Sequence, residues 1–248
     1  MRPLNPLKKS SLVSAFIALL VMVVSPLGAD TPTADDVLTM LKQGNERFAN
    51  DHPTYPHEGT ARRAEVATGQ HPLATVVSCS DSRVPPELLF DEGLGDLFII
   101  RVIGNIGGVD ETGSAEYGTE HLGTPLLVVL GHSNCGAVTA AVTHAEVHGS
   151  IPSPLAHIKP AVRTAHKAHP ELHGNELVPE AIRTNVLHSM QELFNRSEII
   201  RARVRAGKLK VVGAIYNLQS GQVNWLGEHP RQADLLSHTH KRKTKSRE

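Results

Sequence analysis

Four short apolar runs, at 73–78, 97–102, 126–130 and 211–216, constrain this chain's fold more than any other feature. Each is dominated by Val, Ile and Leu without a regular polar alternation, the pattern of a strand covered on both faces. Between them, 113–122 and 136–147 have helical composition, and 176–206 reads as one or two long helices. Strands separated by helices pair in parallel, because the helix carries the chain back across the sheet. The expectation is a single α/β domain with a central, mostly parallel β-sheet flanked by helices. Ahead of the sheet, Thr33 reads as a helix N-cap followed by Asp35 and Asp36. Val37, Leu38, Leu41 and Phe48 then form a helical apolar stripe, and 51–60 reads as a loop.

The amino terminus carries a different signal. Lys8 and Lys9 precede a mostly apolar run over 12–24, then Ser25, Pro26, Leu27, Gly28 and Ala29. A basic start, a short apolar stretch and small residues describe a secretory signal peptide, with cleavage expected after Ala29. The run is shorter than the roughly 20 residues that a membrane-spanning helix needs. The expected organisation is therefore a leader at 1–29, one domain at 30–236 and a basic tail at 237–248. The mature protein is expected in the periplasm or secreted, without a stable membrane anchor. Lys plus Arg and Asp plus Glu both number 25, so overall charge does not point to nucleic acid.

In parallel sheets, ligands gather at the carboxyl ends of the strands. The first apolar run leads into Cys79-Ser80-Asp81-Ser82-Arg83, and the third into Gly131-His132-Ser133-Asn134-Cys135-Gly136. Both loops are thereby brought to one edge of the sheet. Cys79 and Cys135 are the chain's 2 cysteines, and an exported protein could join them in a disulfide. His132 stands three residues before Cys135, so two thiolates and an imidazole could equally hold zinc with a fourth position free. Chemistry alone leaves both readings open. The zinc deaminase pattern and a glycine-rich phosphate loop are both missing from the sequence.

The C-x-D-x-R segment at 79–83 with H-x-x-C at 132–135 resembles the β-class carbonic anhydrases. The similarity runs from about 69 to 142, through Gln70, Pro72, Cys79 to Arg83, Gly95-Asp96, Phe98, Arg101, Gly104-Asn105, Glu116-Tyr117 and Gly131 to Gly136. That resemblance implies one Zn²⁺ per subunit on Cys79, His132 and Cys135. It implies reversible hydration of carbon dioxide to bicarbonate and a proton by hydroxide at the metal. Asp81 and Arg83 resemble the family's catalytic pair, the carboxylate orienting the nucleophile and the guanidinium keeping it off the metal. Gln70, Phe98, Ile103, Tyr117 and Gly136 resemble the substrate-binding wall, which a neighbouring subunit often completes. A homodimer or larger homo-oligomer is therefore expected. The same scaffold also serves carbon disulfide and carbonyl sulfide hydrolases and could support a non-catalytic bicarbonate-binding protein, and these remain the alternatives.

Overall fold

The computed structural model describes residues 31–237; the leader, and the basic tail beyond Ser237, lie outside the described residues. The chain enters through α1 (Ala34–Ala49). Thr33 caps it: its hydroxyl accepts from the Asp36 amide, and the Asp36 carboxylate accepts from the Thr33 amide in return. Val37 and Leu41, on the expected stripe, are fully buried. Helix α2 (Gly59–Val66) follows a loop and leads to β1 (Ala74–Ser78). Then come α3 (Pro86–Leu89), β2 (Leu97–Arg101), α4 (Val109–Glu116), β3 (Leu126–His132), α5 (Gly136–Thr143) and α6 (Pro152–Ala168). The remaining elements are α7 (Val178–Arg196), α8 (Glu198–Arg205), β4 (Lys210–Tyr216), β5 (Val223–Gly227) and α9 (Gln232–Ser237).

Among the described residues the strands form one five-stranded sheet in the order β2-β1-β3-β4-β5. The first four run parallel, and β5 pairs antiparallel to β4. Successive side chains in each strand serve opposite faces. Val76 and Val128 join Val37, Leu41, Leu89 and Phe90 on one side, whereas Val77 and Val129 join Val186, Met190, Leu193 and Phe194 of α7 on the other. A third apolar cluster, built from α5, α6 and α7, includes Cys79 and Cys135 and closes the carboxyl end of the sheet. The result is a single α/β domain of the expected class.

Several boundaries differ from the sequence expectation for identifiable reasons. Helix α2 begins inside the expected 51–60 loop; it buries no residue, so it carries no apolar stripe to read. Helix α6 lies in a stretch for which the sequence sets no expectation, and it contains Pro152, Pro154 and Pro160. Pro152 and Pro154 fall in the first turn, where a missing N–H costs nothing, and only Pro160 lies in the helix interior. The 176–206 segment divides at Ser197, whose hydroxyl accepts from the Ile200 amide and caps α8.

The loop before α2 is folded over a group of carboxylates. Asp91 accepts from the Thr54 and Tyr55 amides and from Arg47, and Asp96 pairs with His57 and Arg62. Glu92 sits half-buried among them without a partner of its own. Burial, with Asp96 adding repulsion against the help of His57 and Arg47, raises its pKa to about 7. Its ordinary value is 4.5, so the folded state disfavours the ionised form. The associated stability is complete below about pH 4.5 and is lost as pH rises through about 7. We expect Glu92→Gln to be no more stable than the parent near pH 4.5. At pH 8 it gains roughly 1–2 kcal/mol after allowance for solvent at this half-exposed site, measured by urea unfolding at both pH values.

Candidate metal centre

The parallel pairing of β1 with β3 aligns Ser78 with Leu130, so the next residues of both strands emerge side by side. Cys79 follows β1 directly, and His132 is the last residue of β3, two residues longer than the apolar run suggested. Asn134 adopts a left-handed conformation with φ of 53°, one that asparagine tolerates better than most residues. That turn brings Cys135 back beside His132. Cys135 is the N-cap of α5, placing its sulfur at the positive end of a helix.

The candidate ligand atoms of Cys79, His132 and Cys135 all lie within 4.8 Å of one another, and all three residues are buried. Both cysteines are free, so the disulfide alternative is not the one this fold adopts. The His132 ring is oriented by a bond of 2.9 Å from Nδ1 to the Ser133 carbonyl, which leaves Nε2 as the available ligand atom. Buried Nε2 has no hydrogen-bond partner. An orphaned imidazole nitrogen converging with two sulfurs fits a metal such as zinc. The neighbouring Cys135 thiol, with His132 and the Gly104 and Asp81 amides, favours the Cys79 thiolate, and that neighbour together with burial pushes the Cys135 thiol up.

Asp81 lies next to this cluster without joining it. Its Oδ2 is 3.8 Å from His132 Nε2. Arg83 grips both carboxylate oxygens, with Nε at 2.8 Å from Oδ1 and Nη2 at 2.7 Å from Oδ2, and its own amide adds a third bond. That fork holds the Asp81 carboxyl far below the usual carboxylate range. Arg101, at the end of β2, donates to the carbonyls of Cys79 and Asp81 at 3.0 and 2.7 Å. It thus braces the loop that carries both residues. A cation ending an apolar strand beside β1 was the available sequence signal for this role.

A cavity of about 320 Å³ opens over the cluster, lined by Cys79, Asp81, Cys135, Ile103 and Gly136 with the apolar side chains of Ala137, Ala140, Ile151 and Leu155. Ile103 and Gly136 therefore line the cavity over the candidate ligands. The wall from α5 and α6 was not read from sequence because α6 itself was not. Gln70, Phe98 and Tyr117 do not line this cavity within one chain. Gln70 precedes the amino end of β1 whereas Cys79 follows its carboxyl end, so the strand alone separates them by roughly 13 Å. Phe98 aligns with Thr75, near the same amino end, and Tyr117 stacks on it with ring centroids 5.8 Å apart. These two aromatics lie along the free edge of β2, and Tyr117 is 45% exposed.

A buried Cys-His-Cys centre at the carboxyl end of a mostly parallel sheet, with a clamped aspartate beside it, defines a mononuclear metal-site α/β protein. The family model described as carbonic anhydrase matches residues 74–223. The chain belongs to the carbonic anhydrase family, in its β class. It is 37% identical to carbonic anhydrase 2 of Mycobacterium tuberculosis over 187 residues, covering 73% of this chain and 87% of that protein. It is 38% identical to a carbonic anhydrase of Mycolicibacterium smegmatis over 188 residues, covering 74% and 88%. A β-carbonic anhydrase structure from Aspergillus fumigatus superposes with a TM-score of 0.64 at 25% identity, covering 82% of this chain and 94% of that one. One of two tetrameric β-carbonic anhydrases from Sordaria macrospora gives 0.61 at 26% identity, covering 75% and 91%.

Replacing a thiolate ligand should cost the metal more than the fold. Cys79→Ser is expected to retain zinc at least ten-fold less well in competition with a chelator, read by elemental analysis after dialysis. Unchanged retention would exclude Cys79 as a ligand.

Proposed function

We propose that this chain catalyses the reversible hydration of carbon dioxide to bicarbonate and a proton, with zinc held by Cys79, His132 and Cys135. The observation that carries this reading is the placement of the Asp81 carboxylate beside the three converging ligand atoms, with both its oxygens held by Arg83. When bound, zinc supplies the Lewis acidity that makes water a usable nucleophile, as is established for carbonic anhydrases with three histidine ligands. Asp81 accepts a hydrogen bond from the attacking oxygen and turns its lone pair toward carbon. Arg83 keeps that carboxylate ionised and away from the fourth metal position. Ile103, Ala137, Ala140 and Leu155 give the apolar substrate a dry wall, and the Gly136 amide at the start of α5 can donate to the developing anion.

Stopped-flow carbon dioxide hydration by the metal-loaded chain tests the reading. Asp81→Asn should keep its zinc and lose at least 100-fold in kcat, the usual weight of a group that positions or moves a proton. A zinc-loaded parent that turns over carbonyl sulfide or carbon disulfide but not carbon dioxide would overturn the proposal.

The wider organisation follows as part of the same proposal. We infer that residues 1–29 are a cleaved leader, that 30–236 form the exported catalytic domain and 237–248 a basic tail. We also infer that the mature chain forms a homodimer or larger homo-oligomer in the periplasm or outside the cell. No helix among the described residues is long and apolar enough to cross a membrane. The exposed edge of β2 supports assembly, since it presents Leu97, Phe98 and Ile99 partly uncovered. In this arrangement Gln70, Phe98 and Tyr117 complete the substrate wall of a second copy. Expressed with its leader in a Gram-negative host, the protein should appear in the osmotic-shock fraction beginning at Asp30, and light scattering should give at least twice the chain mass. A cytoplasmic, full-length monomer would contradict both inferences.

A further inference from the structure

The thiolate of Cys79 receives a hydrogen bond from the Gly104 amide, 3.3 Å away in a short helical turn at Ile103–Asn105. Such a bond withdraws electron density from sulfur and so tunes how strongly it donates to a metal. Cys135 is the N-cap of α5, whose first-turn amides the helix fixes by its own geometry. Gly104 has no comparable support from regular structure. It sits at φ of 71°, and a Cβ there would meet the end of the Ile158 side chain at 2.6 Å, so this backbone is held in a left-handed conformation that favours glycine. What fixes it is a side chain from far along the sequence: Asn185 of α7 donates from Nδ2 to the Gly104 carbonyl at 2.8 Å.

Asn185 is 1% exposed in a stretch of α7 whose neighbours Ala181, Ile182, Val186 and Met190 are buried and apolar. Its Oδ1 has no protein partner. A leucine would fill such a position without the orphaned Oδ1, at the cost of the donor to the buried Gly104 carbonyl, so core packing alone gives no reason for the amide. The bond to Gly104 does. We propose that Asn185 is a positioning residue of the metal centre: it locks Gly104 so that its N–H stays on the Cys79 sulfur and sets the donor strength of that thiolate. This inference rests on the proposed metal centre.

The test uses the full chain loaded with cobalt(II), whose thiolate-to-metal charge-transfer absorption reports sulfur donation directly. Asn185→Leu should shift that band to longer wavelength and lower kcat about ten-fold with KM little changed. Met190→Ala, which opens a cavity on the same helix without touching Gly104, should lower Tm and leave the band in place. A folded Asn185→Leu protein with an unshifted band would overturn the inference. If that variant does not fold, cadmium-113 NMR of the parent protein decides, because a scalar coupling from the metal to the Gly104 amide proton requires the N–H···S bond. Its absence likewise overturns the proposal. Failure of the parent to show any thiolate charge-transfer band would instead refute the metal centre itself.

Discussion

The parallel pairing of β1 with β3 is the constraint on which the site depends. Parallel neighbours end on the same edge of a sheet, so their following loops begin roughly one strand spacing apart, about 5 Å. Cys79 leaves one strand as His132 ends the other, and the left-handed Asn134 then returns Cys135 to the same point. Little loop ordering is needed to gather ligands from both loops, because the backbone of the sheet has already been ordered by burial. Val76, Val77, Val128 and Val129 supply that burial, and each is completely inaccessible. Core packing and ligand convergence are in this sense the same event.

The sequence made this much legible because continuous apolar strands and a C-x-D-x-R segment are local patterns. The parallel sheet and the strand-end placement follow from residues close together in the chain, whereas the metal set, divided between 79 and 132–135, is what the family resemblance implies. The features that escaped depend on distant partners or on the absence of a pattern. Asn45 reads as an ordinary helix asparagine, yet it is 5% exposed and bonds Leu89, Gly221 and Val223, tying α1 to the loop that precedes β5. Helix α6, with three prolines in its sequence, carries no expectation from the sequence, and neither does the Ile151 and Leu155 part of the cavity wall. Gln70, Phe98 and Tyr117 match motif positions, but motif position does not report which side of a strand, or which copy of the chain, a residue serves.

The polar groups around the cluster are arranged so that few of them have freedom to become ligands or competitors. Arg83 occupies both oxygens of Asp81, Arg101 holds the carbonyls beneath it, and Ser133 takes the second nitrogen of His132. The two sulfurs also differ in setting. Cys135 caps a helix, whereas the Gly104 donor to Cys79 sits in a loop tied to α7 by Asn185. The two sulfurs are therefore chemically similar but mechanically different.

Charge explains why the aspartate needs such a firm partner. Two thiolates and a divalent cation sum to a neutral centre, so the metal offers Asp81 less net attraction than it would with three neutral imidazoles. It is still a cation with a coordination position to fill, and a bare carboxylate 3.8 Å from His132 Nε2 has only a short distance to move. The bidentate Arg83 fork opposes that movement by geometry as well as by charge, since releasing Asp81 breaks two charge-assisted bonds at once. A lysine would keep the charge and lose the fork. In the proposed mechanism the pair at 81 and 83 thereby separates two uses of one carboxylate, orienting a substrate oxygen and closing the metal, and the geometry of the guanidinium selects the first.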